Sequence, residues 1–219
     1  MKIGIIGAGF IGRTLAWLGV QHGYEAMVSN SRGPQTLIST ACAIHVQIGT
    51  VEEAAAFGDI VVVAIPFHAR ASLPAAALAG KIVVDAMNYY PDRDGAIPEL
   101  DRRETTTSAM VAALLPGARV VKAFNAILAN DLETGGRPTG VPDRRALPIA
   151  ADDAGAKAAV TAFQEQIGFD AVDAGGLEES WRFERAKPAY CVPFDNAGLK
   201  QALAAAERNV DVPEGSWRR

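Results

Sequence analysis

Lys2-Ile3-Gly4-Ile5-Ile6-Gly7-Ala8-Gly9-Phe10-Ile11-Gly12-Arg13-Thr14-Leu15-Ala16 opens the chain and decides its fold. Lys2 to Ile6 is a short β-branched apolar run of the kind that forms a buried strand, and Ile11 to His22 has the texture of a helix. Between them lies a G-x-G-x-x-G motif, whose strand-to-helix setting gives it meaning. Gly7 permits the tight turn, Gly9 lets the backbone approach a pyrophosphate, and Gly12 lets the helix pack closely on the sheet. The helix N-terminus adds unpaired N–H groups and the positive end of its dipole. Ala8, Phe10 and Ile11 complete this candidate cofactor loop. A glycine-rich turn that binds nothing would share the spacing, but the place of the motif at the head of an alternating β/α chain favours a dinucleotide.

Downstream, short apolar runs alternate with alanine-rich stretches. Strands are expected at Lys2 to Ile6, Glu25 to Ser29, Ile44 to Ile48, Asp59 to Ile65, Lys81 to Asp85 and Arg119 to Phe124. Helices are expected at Ile11 to His22, Gln35 to Thr40, Val51 to Phe57, His68 to Leu78 and Ser108 to Leu115. The strands lack strict polar alternation, as they do when both faces of a parallel sheet are covered. After Asn125 a Gly-, Pro- and Arg-rich loop leads to a strand at Ala146 to Ala150, a helix at Ala154 to Ile167 and a strand at Phe169 to Val172. Leu177 to Ala206 reads as mainly helical, broken near Pro188 and Pro193. The fold class expected is α/β: a doubly wound, mostly parallel Rossmann sheet extended by C-terminal strands and a small helical cap. Residues 1–125 form the dinucleotide-binding part and residues 126–219 the extension and cap, within one compact unit.

Dinucleotide choice is expected at the end of the second strand, where an NAD site places a carboxylate about 20 residues after the glycine motif. This chain has Ser29-Asn30-Ser31-Arg32 there. With no carboxylate to repel a 2′-phosphate, two hydroxyls as donors and an arginine fork able to bind phosphate and stack on adenine, the cofactor expected is NADP(H). Capping of the next helix would account for Ser and Asn, but not for Arg32.

Composition removes other classes. The 219 residues are 49% hydrophobic and 21% charged with a net charge of −4, so a core is easily built and no basic run addresses nucleic acid. Cys42 and Cys191 match neither a disulfide framework nor a metal spacing, and His22, His45 and His68 lack ligand spacing from one another, so no metal is expected. No leader is expected before the first strand, and no apolar run reaches the ~18 to 20 residues of a membrane span. The expected setting is cytoplasmic, without a membrane partner. No Ser-His-Asp set or carboxylate pair is evident.

MKIGIIGAGFIGRTLA, VSNSRGPQTL, VVVAIPF, VVDAMNYY, VVKAFNAI and the stretch from ADDAGAKAAV to GGLEESWRFE together resemble the F420-dependent NADP oxidoreductase family. The Rossmann part is also similar to the cytosolic domain of STEAP-type metalloreductases. The resemblance runs over residues 1–187. It implies direct hydride exchange between NADP(H) and coenzyme F420 or a flavin-like ring, a small-molecule redox substrate, no obligatory protein acid or base, and a homodimer. It also implies that Ile65 and Pro66 line the cofactor, with Phe67 or His68 near the nicotinamide. His68 is alternatively a solvent-facing residue at the start of a helix.

Ligands of open α/β sheets bind at strand C-terminal ends, which marks further residues. Ala86, Met87 and Asn88 follow the fifth strand, and Asn88 is a candidate for the carboxamide or the second substrate, or else a turn residue. Asn125 ends the sixth strand and is the other amide candidate. Lys122 either reaches the cleft or runs its stem to the surface. Trp17 and Trp181 read as core or interface anchors. Arg182 and Arg185, flanking Phe183, suit either an anionic substrate tail or a solvated face. The Gly135 to Arg145 loop suits a lid or plain disorder. Two other functions stay open: reduction of a small carbonyl or imine, for which little chain remains to build a substrate domain, and non-catalytic sensing of NADP(H).

Overall fold

Eight strands form one sheet in the computed structural model, which describes residues 1–213 and 215–216. They are β1 (Lys2–Ile6), β2 (Glu25–Ser29), β3 (Gln47–Ile48), β4 (Ile60–Val63), β5 (Ile82–Asp85), β6 (Arg119–Lys122), β7 (Ala146–Ala151) and β8 (Asp170–Asp173). Their spatial order is β3-β2-β1-β4-β5-β6-β7-β8. Neighbours from β3 to β6 run parallel. β7 enters antiparallel to β6, with Val121 opposite Ala151 and Lys122 opposite Ala150, and β8 then runs parallel to β7.

All residues of β4 and β5 are buried, which explains why their sequences, IVVV and IVVD, do not alternate with polar residues. One face packs Ile3, Ile5, Val62 and Val84 under the helix Phe10–Gln21, which contributes Leu15 and Ala16, and the helix Ala154–Gln166, which contributes Val160 and Phe163. The other face packs Val61, Val63, Val83 and Val120 with Leu78 and Val111. A third cluster joins β7 and β8 to Phe183, Tyr190 and the helix Asn196–Ala204.

Three segments differ from expectation. The run Ile44 to Ile48 is only partly a strand: Ile38–Ile44 is helical and His45, in the left-handed conformation at φ 55°, ends that helix before β3 begins. Short apolar runs are ambiguous between the two states. His68 to Leu78 is not one helix but a 3₁₀ segment, Phe67–Ser72, followed by a short helix, Ala75–Leu78. Pro74 holds the preceding Leu73 extended at ψ 137°, which breaks the run. From Leu177 to Ala206 the chain forms a 3₁₀ segment, Leu177–Phe183, an irregular stretch through Pro188 and Pro193, and one helix, Asn196–Ala204, capped by the Asp195 side chain. Among the described residues no helix is long and apolar enough to cross a membrane.

Candidate functional site

The chain leaves β1 toward β2 and leaves β4 toward β5, so a crevice opens above the C-terminal ends of β1 and β4. The glycine loop lies in it. Gly7 has φ +113°, and a Cβ there would stand 2.4 Å from the Ala64 carbonyl oxygen. A Cβ on Gly12 would stand 2.0 Å from the Gly7 carbonyl oxygen, so Gly12 is the contact between helix and loop. Gly9 is different: a Cβ there meets nothing within 4 Å. Protein packing requires two of the three glycines, and the third faces open space. Gly9 is also the N-cap of the helix Phe10–Gln21, which has no side-chain cap and no acidic residue in its first turn. Those N–H groups are left for a ligand. The cleft has a volume of ≈ 350 Å³ and is walled by Gly7, Ala8, Gly9, Asn30, Ser31, Arg32, Ile65 and Pro66. Phe10 departs from the rest of the loop: its ring is 75% exposed beneath Arg13, at 5.4 Å, and lines a separate groove with Trp17. Ile11 packs against the core.

At the end of β2 the structure divides the four candidates. Ser29 is fully buried, and its hydroxyl donates to the Ile5 carbonyl at 2.9 Å, so it is not placed to donate to a phosphate. Asn30 shapes the turn, accepting from the Arg32 N–H at 2.9 Å and donating to Thr36 Oγ1 at 2.9 Å. Ser31 and Arg32 are exposed on the cleft wall, and the Arg32 guanidinium has no hydrogen-bond or ion-pair partner among the described residues.

Beyond β4, Ile65 and Pro66 face the cleft but Phe67 does not. Its ring is fully buried, edge-on to Tyr89 at 6.1 Å and under the Arg70 guanidinium at 4.5 Å, so it is a core residue. His68 is exposed, and its Nδ1 lies 2.9 Å from Asp94 Oδ1. Burial would raise the Asp94 carboxyl, but hydrogen bonds from Arg93, the Tyr90 N–H and His68 outweigh it and hold that acid well below the usual carboxylate range.

Beyond β5 and β6, Ala86 is buried against the core. The two amides pair: Asn88 Nδ2 donates to the Asn125 carbonyl at 2.9 Å, and Asn125 Nδ2 donates to Asn88 Oδ1 at 3.3 Å and to the Phe183 carbonyl at 3.0 Å. Asn125 is buried and its Oδ1 has no partner among the described residues. Lys122 reaches neither cleft nor surface. Fully buried, its Nζ donates to Asp85 Oδ2 at 3.2 Å, to the Met87 carbonyl at 2.6 Å and to Thr107 Oγ1 at 3.0 Å. Ser108 donates to the same Asp85 oxygen at 2.6 Å. This network braces the strand ends from which the amide pair projects.

The C-terminal features are structural in their contacts. Trp181 is buried with Arg182 over its ring at 4.5 Å and Arg208 at 5.1 Å, and Arg182 pairs with Glu179 at 2.6 Å. Arg185 lies over the Tyr90 ring at 5.4 Å. The loop after Gly135 is anchored by buried Arg144, which donates to the Arg137 carbonyl at 2.9 Å and pairs with Asp170 at 2.6 Å. The Asn88–Asn125 clasp and the His68–Asp94 pair join residues far apart in sequence, and only the fold reveals them. Among the described residues no group of three or more His, Cys, Asp or Glu side chains is placed to hold a metal.

Sheet order, glycine loop and crevice together define a Rossmann-type nucleotide-binding protein. Residues 2–89 match the family described as NADP oxidoreductase, coenzyme F420-dependent. Metalloreductase STEAP3 of Rattus norvegicus is 32% identical over 198 residues, covering 88% of this chain and 38% of that protein. The chain thus spans well under half the length of that metalloreductase. Among solved structures, the hypothetical protein SMa0349 of Sinorhizobium meliloti is 31% identical with a TM-score of 0.70, covering 82% of this chain and 87% of that one. A candidate F420-dependent NADP reductase of Arthrobacter sp. FB24 is 28% identical with a TM-score of 0.69, covering 81% and 86%. The chain belongs to the F420-dependent NADP oxidoreductase family.

Proposed function

We propose that this protein binds NADP(H) in the cleft above β1 and β4 and passes hydride directly between its nicotinamide and coenzyme F420 or a flavin-type ring. The observation that carries the proposal is the pairing of an open Gly9 with an unpartnered Arg32 on one cleft wall, with no carboxylate between Ser29 and Arg32. The donor set fits the cofactor. The first-turn N–H groups after Gly9 suit a pyrophosphate, and Arg32 with Ser31 suits a 2′-phosphate. Asn30 holds the Arg32 backbone in place for that contact.

With the adenosine end at β2 and the pyrophosphate at Gly9, the nicotinamide end extends over β4 and β5, toward Ile65, Pro66 and the Asn88–Asn125 clasp. When bound, NADPH supplies the hydride. The protein's part is to orient the ring and shed water: Ile65 gives an apolar wall, and the clasp, braced by Lys122 and Asp85, sets the far edge. Support for F420 as acceptor comes from the family and from the Arthrobacter protein, and a flavin offers a ring of the same kind. Spectrophotometric oxidation of NADPH against F420, FMN and FAD tests the proposal, with rapid turnover of at least one of them expected. Binding of NADPH with no turnover of any acceptor would overturn it in favour of a cofactor sensor.

A further inference from the structure

Resting on the function proposed above, we infer that Thr36, which does not line the cleft, is a positioning residue for cofactor choice: through Asn30 it fixes the Arg32 main chain so that the guanidinium is presented to a 2′-phosphate. Asn30, Ser31 and Arg32 stand on the cleft wall, whereas Gln35 and Thr36 do not. These two belong to the 3₁₀ segment Pro34–Leu37, which has proline at its head, where a preset φ suits a helical start. Its last residue, Leu37, is buried in the same core cluster as Leu15 and Val28. The segment thus carries the rigidity of the core to the exposed turn at the end of β2.

The Arg32 main chain is pinned on both sides. Its N–H donates to Asn30 Oδ1 at 2.9 Å, and its carbonyl accepts from Gln35 Nε2 at 3.0 Å. The Asn30 amide is in turn set by Thr36. A hydroxyl has one proton, and Thr36 donates it to the Gly33 carbonyl at 2.8 Å in preference to Asn30 Oδ1 at 3.4 Å. The Thr36 oxygen is then left to accept from Asn30 Nδ2, at 2.9 Å. That contact turns Oδ1 of the same amide toward the Arg32 N–H, since the opposite orientation would set two donors against each other.

None of these bonds occupies the guanidinium, so every donor of the fork is left for the ligand. With the main chain fixed beforehand, only the arginine side chain has to be ordered when a phosphate binds, and a smaller ordering cost means tighter binding. The 2′-phosphate is the one group by which NADPH differs from NADH. A residue that acts through Arg32 therefore changes the affinity for NADPH alone, whereas a residue that merely keeps the cleft in shape changes both.

Calorimetric titration of the whole protein with NADPH and NADH tests this. Thr36 is exposed, so Thr36→Val removes the hydroxyl at nearly constant shape without disturbing the core. It should weaken NADPH binding about three- to tenfold, the range for the loss of a hydrogen bond, and leave NADH within about twofold. Thr36→Ser should restore the wild-type value. In an Arg32→Ala background, Thr36→Val should change NADPH affinity less than about twofold, because the effect passes through Arg32. An unchanged NADPH affinity in Thr36→Val, an equal loss for both cofactors, or a loss that persists undiminished without Arg32 would overturn this inference alone. A wild type that binds the two cofactors equally, or binds neither, would overturn the proposed function and the inference with it.

Discussion

A methyl group added at Gly9 meets open space, while one added at Gly12 lands 2.0 Å from a carbonyl oxygen. The two glycines have the same standing in a sequence motif, and only the packing separates the one that serves the fold from the one that faces open space. Gly9→Ala should therefore cost about 1 kcal/mol or less in stability, through the lost N-cap preference. Gly12→Ala should cost about 1–3 kcal/mol or more, because backbone must move. Urea melts read the difference, and NADPH titration should show Gly9→Ala folded but impaired in binding. Arg32→Ala should weaken NADPH binding by about 1.5–3 kcal/mol and leave NADH nearly unchanged, measured by calorimetry. The unengaged place of Arg32 on the cleft wall was legible because no structural duty explains an arginine there. Ser29 was not, because its hydroxyl and that of Ser31 look alike until β2 is covered on both faces and Ser29 turns inward.

Asp85 and Lys122 occupy the last positions of adjacent parallel strands and face each other in register. A lysine in an apolar run signals an unusual environment, but its partner lies 37 residues earlier and becomes visible only once β5 and β6 pair. Ser108 and Thr107 then tie the helix Thr107–Leu114 to both strands, and the Thr107 hydroxyl donates to the Glu184 carboxylate of the cap at 2.7 Å. Lys122→Met should cost about 3–5 kcal/mol by leaving the Asp85 carboxylate buried and unpaired, whereas Lys122→Met with Asp85→Asn should recover most of it. Denaturant midpoints of the single and double variants decide this. The Pro91–Asp94 turn behaves similarly around its acid. The Asp94 carboxyl is held below its ordinary value, so it contributes stability at neutral pH that is lost as pH falls through the carboxylate range toward its folded value. The stability difference between wild type and Asp94→Asn should thus shrink between about pH 5 and pH 2, as read by urea melts. Proline at the head of both that turn and Pro98–Asp101 suits a first helical turn, but single turns carry too few residues for periodicity to reveal.

At the scale of the whole molecule, the alternation of strand and helix from Lys2 to Lys122 was readable because parallel strands covered on both faces leave unbroken apolar runs. The reversal at β7 was not readable, since the same residues would suit a parallel strand and direction is set by how the helix Ala129–Thr134 and the Arg144-anchored loop return the chain. Because β6 pairs with β7 in one sheet and the Asn125 side chain bonds to the Phe183 carbonyl, the parts before and after residue 125 should unfold together. Far-ultraviolet dichroism and tryptophan fluorescence should then give one coincident transition. The claim on which the rest depends is that the cleft between Gly9 and Arg32 is built for a dinucleotide bearing a 2′-phosphate. Parallel calorimetric titration of the wild type with NADPH and NADH tests it most directly. NADPH should bind at one site per chain and at least about tenfold more tightly, a difference of about 1.4 kcal/mol; equal affinity for the two, or binding of neither, would contradict it.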